Sequence, residues 1–308
     1  MNLSSRGWGL VFAMAGAIGF SGKAIIVKLS YRYGVDASQV IFYRMAFALP
    51  FFLVLAWWAG RGQASLNARQ WWMVASLGFS GYYLASMLDF MGLQYISASL
   101  ERLILYLNPT IVILLSRWLF KRHATRAQWV GMALSYSGVL LVFGHELQLD
   151  GWATAAGAGL VLASTLSYAY YLMYSGEMIR QIGALRVVGL ATAVACVLCM
   201  VQLPLAHPLS ALDVPTPVLW LGLLNAVACT AMPVLLVMLA VERLGAGLAS
   251  QTGMIGPMAT IAMGILILDE PFNRWIVAGT VLVLSGVAWT SWRDRTKAIP
   301  AERSEVKA

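Results

Sequence analysis

Six ionisable residues lie inside long apolar runs: Lys23, Lys28, Arg44, Asp89, Glu101 and Arg102. A charge in such surroundings is costly, so it either pairs with an opposite charge or takes part in function. Asp89 and Glu101 flank a short join between two apolar segments, so both can face one space. Arg44 is the expected partner for one of them. That pair either fixes helix packing or belongs to a working charge network of Arg44, Asp89 and Glu101. Glu101 is the first choice for a proton-coupling site, because a carboxylate taken out of water favours its neutral form. A permanent bond to a nearby cation is the competing role. Lys23 lies deeper than Lys28 or Arg102, on the face of Gly16 and Gly19, and is placed to meet a substrate carboxylate. Lys28 and Arg102 lie near segment ends, where long cationic side chains snorkel to the interface.

Uncharged polar residues form stripes at helical spacing. Gly78, Tyr82, Ser86 and Asp89 recur at intervals of four, four and three, with Tyr83 beside them. Glu101 and Asn108 are seven apart, and Ser164, Tyr168, Tyr171 and Ser175 make another stripe. Asn225 and Thr230 precede Pro233, and Ser250, Gln251 and Thr252 precede Pro257. A lone Tyr or Ser of this kind is ordinarily a packing or interhelical bonding group. Stripes on five segments together point to a shared polar cavity. Lys23, Tyr82, Tyr83, Ser86, Asn108, Tyr168, Tyr171, Asn225 and Gln251 are the candidate substrate-binding residues. Pro109 and Pro257 are candidate helix breaks, each removing a hydrogen bond and freeing a carbonyl one turn earlier.

The elements that must position these residues are long and apolar. The 308 residues are 60% hydrophobic and 11% charged, against roughly 25% charged in soluble chains. Ten apolar segments are expected, at about 7–30, 38–59, 71–93, 97–119, 127–144, 152–174, 185–206, 216–241, 246–268 and 275–292. In lipid every backbone amide must be satisfied within its segment, so these read as transmembrane helices. The tail from 293 to 308 is polar, expected to be unstructured and cytoplasmic.

The chain also writes itself twice. Adding 148 carries Pro109 onto Pro257, Arg126 onto Arg274, Gly131 onto Gly279 and Ser137-Gly138 onto Ser285-Gly286. The repeats are expected at 7–144 and 152–292, each of five helices. Lys and Arg set the orientation. With the N-terminus inside, fourteen fall on the cytoplasmic side and two, Arg32 and Arg274, outside. Both termini are then cytoplasmic. A half with an odd number of helices inverts its successor, which places a pseudo-two-fold axis in the membrane plane and a substrate site between the halves. The fold class expected is an all-α membrane protein of ten transmembrane helices in two inverted five-helix repeats. The small-residue stripe Gly131, Ser135 and Gly138 reads as intramolecular packing.

Several classes drop out. The net charge of +8 is spread over cytoplasmic segments as a topology signal, so nucleic acid is not the partner. No His/Cys/Asp group has metal-ligand spacing, no G-x-x-x-x-G-K-[ST] loop is present, and no cofactor is implied. Asp89 and Glu101 leave an intramembrane enzyme as a remote alternative, but neither sits in a catalytic motif.

The stretch LNPTIVILLSRWLFKRHATRAQWVGMALSYSGVLLVFG in the first copy, IGPMATIAMGILILDEPFNRWIVAGTVLVLSGVAWT in the second and FYRMAFALPFF around Arg44 resemble the paired EamA domains of the drug/metabolite transporter superfamily. The resemblance covers about residues 8 to 292. The first copy departs from it by carrying Lys121-Arg122 where the family usually has an acidic residue. The resemblance implies a secondary transporter of the bacterial inner membrane, commonly an exporter of amino acids or similar small metabolites. Multidrug or lipophilic-compound efflux is the alternative. Segments 1, 3, 4, 6, 8 and 9 would line the cavity, with 5 and 10 packed at one side. A small-molecule substrate, membrane lipid and a proton as coupling ion are the expected partners, in a monomer or weak homodimer.

Overall fold

The structure, a computed structural model, describes residues 5–120, 125–244, 248, 249 and 252–305. Gln251, Ser250, Lys121 and Arg122 lie outside the described residues. The described chain is helical, without strands: α1 (Ser5–Tyr31), α2 (Ala37–Gly60), α3 (Ala68–Gly78), α4 (Ala85–Gly92), α5 (Ala98–Leu105), α6 (Asn108–Phe120), α7 (Arg126–Asp150), α8 (Trp152–Ile182), α9 (Ala184–Ala206), α10 (Thr216–Ala226), α11 (Met232–Leu244), α12 (Gly256–Leu268) and α13 (Arg274–Glu305). Local sequence explains several starts. Asp36, Asn67 and Thr125 cap α2, α3 and α7, each with a glutamine three residues on completing a capping box.

Six stretches among the described residues are long and apolar enough to cross a membrane: Gly7–Tyr31, Ala37–Gly60, Ala98–Leu119, Arg126–Gln148, Ala184–Ala206 and Thr216–Leu244. Tryptophans 8, 57, 58, 71, 72, 118, 129, 152 and 220 are all exposed. They stand within two turns or so of helix ends, where an amphipathic ring suits a membrane–water interface. The tail expected to be unstructured continues α13 to Glu305; its Ala, Arg, Lys and Glu residues are strong helix formers.

The repeat is visible where α7 meets α13. A Cβ on Gly138 would lie 2.6 Å from the Gly279 carbonyl oxygen, and one on Gly279 would lie 2.7 Å from that of Gly138. Gly286 is pressed in the same way on Gly131, and Ser135 Oγ donates to the Val283 carbonyl at 3.4 Å. Under the offset of 148, Gly131 corresponds to Gly279, Ser135 to Val283 and Gly138 to Gly286. An early residue of one copy meets a late residue of the other, and the reverse, while the middle position meets its own counterpart. Such an exchange marks a local two-fold axis. The two helices run antiparallel here, so the axis is perpendicular to both.

A second pair of features keeps the same register. The helix that continues α3 into α4 widens to π geometry over Phe79–Leu84, and the one that continues α10 into α11 does so over Val227–Ala231. They begin 148 residues apart. A π-turn inserts one residue into the helical ladder and rotates the turns beyond it. The stripe expected from Gly78 to Asp89 therefore does not share one face. Gly78 packs on Ala191 and Val194 of α9, Tyr82 meets Tyr171 of α8, and Asp89 meets Lys23 of α1.

Pro109 and Pro257 are the second residues of α6 and α12. The backbone breaks before them, at Tyr106–Leu107 and over the 3-10 turn Gly253–Ile255. Proline suits a helix start, where its missing N–H had no partner to lose. Neither proline therefore kinks a continuous helix. The carbonyl four residues before Pro257, that of Gly253, accepts a hydrogen bond from the Tyr106 hydroxyl at 3.0 Å. The two breaks thus touch across the repeats.

Candidate functional site

The ionic cluster is built by α1, α4 and α5. Lys23 Nζ lies 2.5 Å from Asp89 Oδ2 and 3.3 Å from Glu101 Oε1. The lysine side chain is 16% exposed, against 4% for Asp89 and 0% for Glu101. The contact with Glu101 is ionic, without hydrogen-bond geometry, and among the described residues no donor bonds either Glu101 oxygen or Asp89 Oδ1. The Phe90 ring lies 5.8 Å from Lys23 Nζ and 5.2 Å from the Arg44 guanidinium, close enough for its negative face to attract both.

Two expectations are corrected here. Arg44 is not the ion-pair partner of Asp89 or Glu101. Its Nε donates to Thr230 Oγ1 at 3.1 Å, and Thr230 in turn donates to the Asn225 carbonyl at 3.0 Å. Lys23 takes the carboxylates instead, because its flexible stem reaches from α1 into the space between α4 and α5. Arg102 does not snorkel. It is buried, with Nε bonded to Thr260 Oγ1 at 2.9 Å and Nη2 to the Phe20 carbonyl at 3.0 Å. Its neighbours on α1 and α12 supply acceptors in place of water, which is what a buried guanidinium requires. Lys28 does reach a helix end, donating to the Ile96 carbonyl at 2.6 Å. A cavity of about 600 Å³ opens at that end, lined among others by Lys28, Arg32, Ser97, Glu146, Glu270 and Asn273.

The second grouping is aromatic. The Tyr82 and Tyr171 hydroxyls are 3.2 Å apart, their rings meet edge-on at 5.1 Å, and Tyr168 stacks on Tyr171 at 5.4 Å. Ser164 and Ser167 of α8 donate to the carbonyls of Ala85 and Ser80, both at 2.7 Å. That holds α8 against the π-turn and leaves Ser164 as a packing residue. Gly81 allows the approach, since a Cβ there would strike the Tyr171 ring.

The structure thus joins Lys23, Asp89 and Glu101 in one group and Tyr82, Tyr168 and Tyr171 in another. Arg44 adjoins the first across the Phe90 ring, and Asn225 is linked to Arg44 through Thr230. Asn225 is fully buried and both its side-chain polar atoms lack a hydrogen bond among the described residues, as do Arg44 Nη1 and Asn108 Oδ1. Tyr83 is turned away, against Phe79 and the core on the α2 side. Ser86 is half-buried on α4. Sequence reasoning missed Tyr106, Thr260 and Ser21, whose hydroxyl donates to the Gly256 carbonyl at 2.8 Å. The broken helices flanking Pro109 and Pro257 were the available signal for them, since a broken ladder leaves carbonyls that hydroxyls fill.

Long apolar helices, tryptophans exposed at their ends and ionised groups held inside a duplicated bundle define a multi-pass membrane protein of transporter type. The model of the EamA-like transporter family matches residues 7–144 and again 155–292, and the chain belongs to that family. The two matched stretches begin and end 148 residues apart. The chain is 30% identical over 304 residues to a Bacillus subtilis (strain 168) protein named uncharacterized transporter YcbK, covering 94% of this chain and 95% of that one. Uncharacterized transporter YetK of the same organism is 24% identical over 294 residues, covering 92% and 87%. A solved crystal structure at 16% identity covers 94% of this chain and 97% of its own, with a TM-score of 0.64, and shares the fold. As a member of a transporter family, the protein handles a small-molecule substrate within a lipid environment.

Proposed function

We propose that the protein is a secondary transporter that exports small amphipathic metabolites, amino acids foremost, across the bacterial inner membrane by alternating access. Ten spans, both termini cytoplasmic, would form two inverted halves, 7–144 and 152–292, followed by the tail 293–308. The two-fold exchange between α7 and α13 supports the inversion, and the paired breaks give the halves a place to rock. Lys23, Tyr82, Ser86, Asn108, Tyr168, Tyr171 and Asn225 would contact the substrate, as would Gln251, which lies outside the described residues, and Glu101 would carry the coupling proton. A monomer suffices for this cycle.

One observation carries the reading. Three buried or half-buried cations, Lys23, Arg44 and Arg102, stand against two buried carboxylates, Asp89 and Glu101, so one positive charge is in excess, and Arg44 Nη1 lacks a hydrogen bond among the described residues. A substrate carboxylate answers that excess, and the tyrosines offer walls to an apolar side chain. The test is counterflow in proteoliposomes with purified protein and a panel of labelled amino acids. Saturable uptake that unlabelled substrate competes away is expected for a subset. No counterflow of any amino acid by folded protein overturns this substrate class.

A further inference from the structure

The ammonium of Lys23 stands between two carboxylates and near an aromatic ring. Asp89 and Glu101 approach it from different helices, α4 and α5, at 2.5 Å and 3.3 Å, and the Phe90 ring lies 5.8 Å away. Both carboxylates are more than nine-tenths buried, and three of their four oxygens have no hydrogen bond among the described residues. Lys23 is the more exposed member of the group, so its place is the one that can be approached from outside the cluster. Arg44 and Arg102 do not fill it, being bonded to Thr230 and to Thr260 and Phe20.

We infer that Asp89, Glu101 and the Phe90 ring form a binding site for a single ammonium group, occupied by the chain's own Lys23, which a free alkylammonium ion enters when that side chain is removed. Two carboxylates and an aromatic face suit an ammonium group, which offers three hydrogen-bond donors and a positive charge that the ring face attracts. A hard metal ion takes a shell of oxygens instead. A tethered occupant keeps one positive charge between the two carboxylates without a dissolved cation. This goes beyond the transport reading and does not rest on it, because the site is defined by what binds to the folded protein and not by flux.

The experiment is thermal unfolding of the purified full chain in choline, sodium, ammonium and propylammonium chlorides at one ionic strength. The unsubstituted protein should unfold at the same temperature in all four. Lys23→Ala should unfold several degrees lower in choline chloride and recover at least half of that loss, saturably, in propylammonium chloride, which carries the atoms the substitution removes. Lys23→Met keeps the apolar stem and vacates only the position of Nζ, so ammonium chloride should restore it better than propylammonium. Sodium should match choline throughout. The inference is overturned if both variants are as stable as the unsubstituted protein in choline. Equal unfolding in all four salts, recovery by sodium as large as by the size-matched ammonium ion, or failure of both variants to fold even when purified in that ion would each overturn it too.

Discussion

Lys23 and Tyr171 hold the same place in the two repeats, 148 residues apart, yet their surroundings have diverged into opposite chemistries. Around Lys23 stand Asp89 and Glu101; at the corresponding positions 237 and 249 stand Val237 and Ala249. Around Tyr171 stand Tyr82 and Tyr168; the counterparts of that pair are Thr230 and Phe20. Arg44, which meets Thr230, corresponds to a buried Thr192. The backbone has been kept, down to π-turns that start in the same register. The charged group draws all its members from the first copy, whereas the aromatic group joins Tyr82 of the first copy to Tyr168 and Tyr171 of the second. On the transport reading proposed above, the charged group would meet a charged end of the substrate and the aromatic group an apolar one.

The comparison breaks most severely by placing a charge on the aromatic side. Tyr171→Lys puts an ammonium where no carboxylate waits, and an unpaired buried charge costs on the order of 3–5 kcal/mol. Adding Val237→Asp should return at least half of that loss in unfolding measurements. A double variant no more stable than Tyr171→Lys alone would show that the two positions are not structurally interchangeable.

On the charged side, Glu101→Gln keeps the shape but removes one of the two anions facing Lys23. Uptake driven by a pH gradient in proteoliposomes should fall at least tenfold, about 1.4 kcal/mol, while substrate exchange without a gradient persists. Undiminished gradient-driven uptake would take Glu101 out of the coupling role.

The two neighbouring tyrosines of the π-turn provide a narrower comparison. Tyr82→Ala should weaken substrate affinity by about tenfold, about 1.4 kcal/mol, without unfolding the protein. Tyr83→Ala should leave affinity within twofold, because its ring is directed toward Phe79. Binding measured by substrate-induced quenching or by half-saturation of counterflow separates them; equal losses would mean that both rings face the substrate.

The smallest effect is the hydroxyl pair. Tyr171→Phe removes the 3.2 Å contact with Tyr82 and should cost about 0.5–1.5 kcal/mol in stability, the value of a single neutral hydrogen bond. A larger loss in chemical unfolding would mean that the pair anchors a wider network.

Much of the scaffold is legible in residue order. The apolar runs have the length a bilayer demands, and the offset of 148 is a property of the sequence alone. The glycines at 131, 138, 279 and 286 are recognisable as packing positions because only hydrogen allows two helix backbones to approach so closely. The six ionisable residues within the apolar runs are recognisable as well, since charge in an apolar run is conspicuous whatever surrounds it.

Which charge meets which is not legible there. Helical periodicity gives the direction of a side chain about its own axis, but not the rotation of that helix against its neighbours. Arg44 was the expected partner for Asp89 or Glu101, and only the tertiary structure, in which Lys23 reaches from α1 to both carboxylates, selected Lys23. The π-turns add a second reason: one extra residue in a turn re-aims everything beyond it, and no periodicity carried across Gly78 to Asp89 can register that. Residue order by itself determined the duplication, the apolar helices and the inventory of buried charge. Tertiary structure decided the pairing within that inventory, because the choice between two nearby opposite charges depends on ångström-scale separation and on which of them other groups have already bonded.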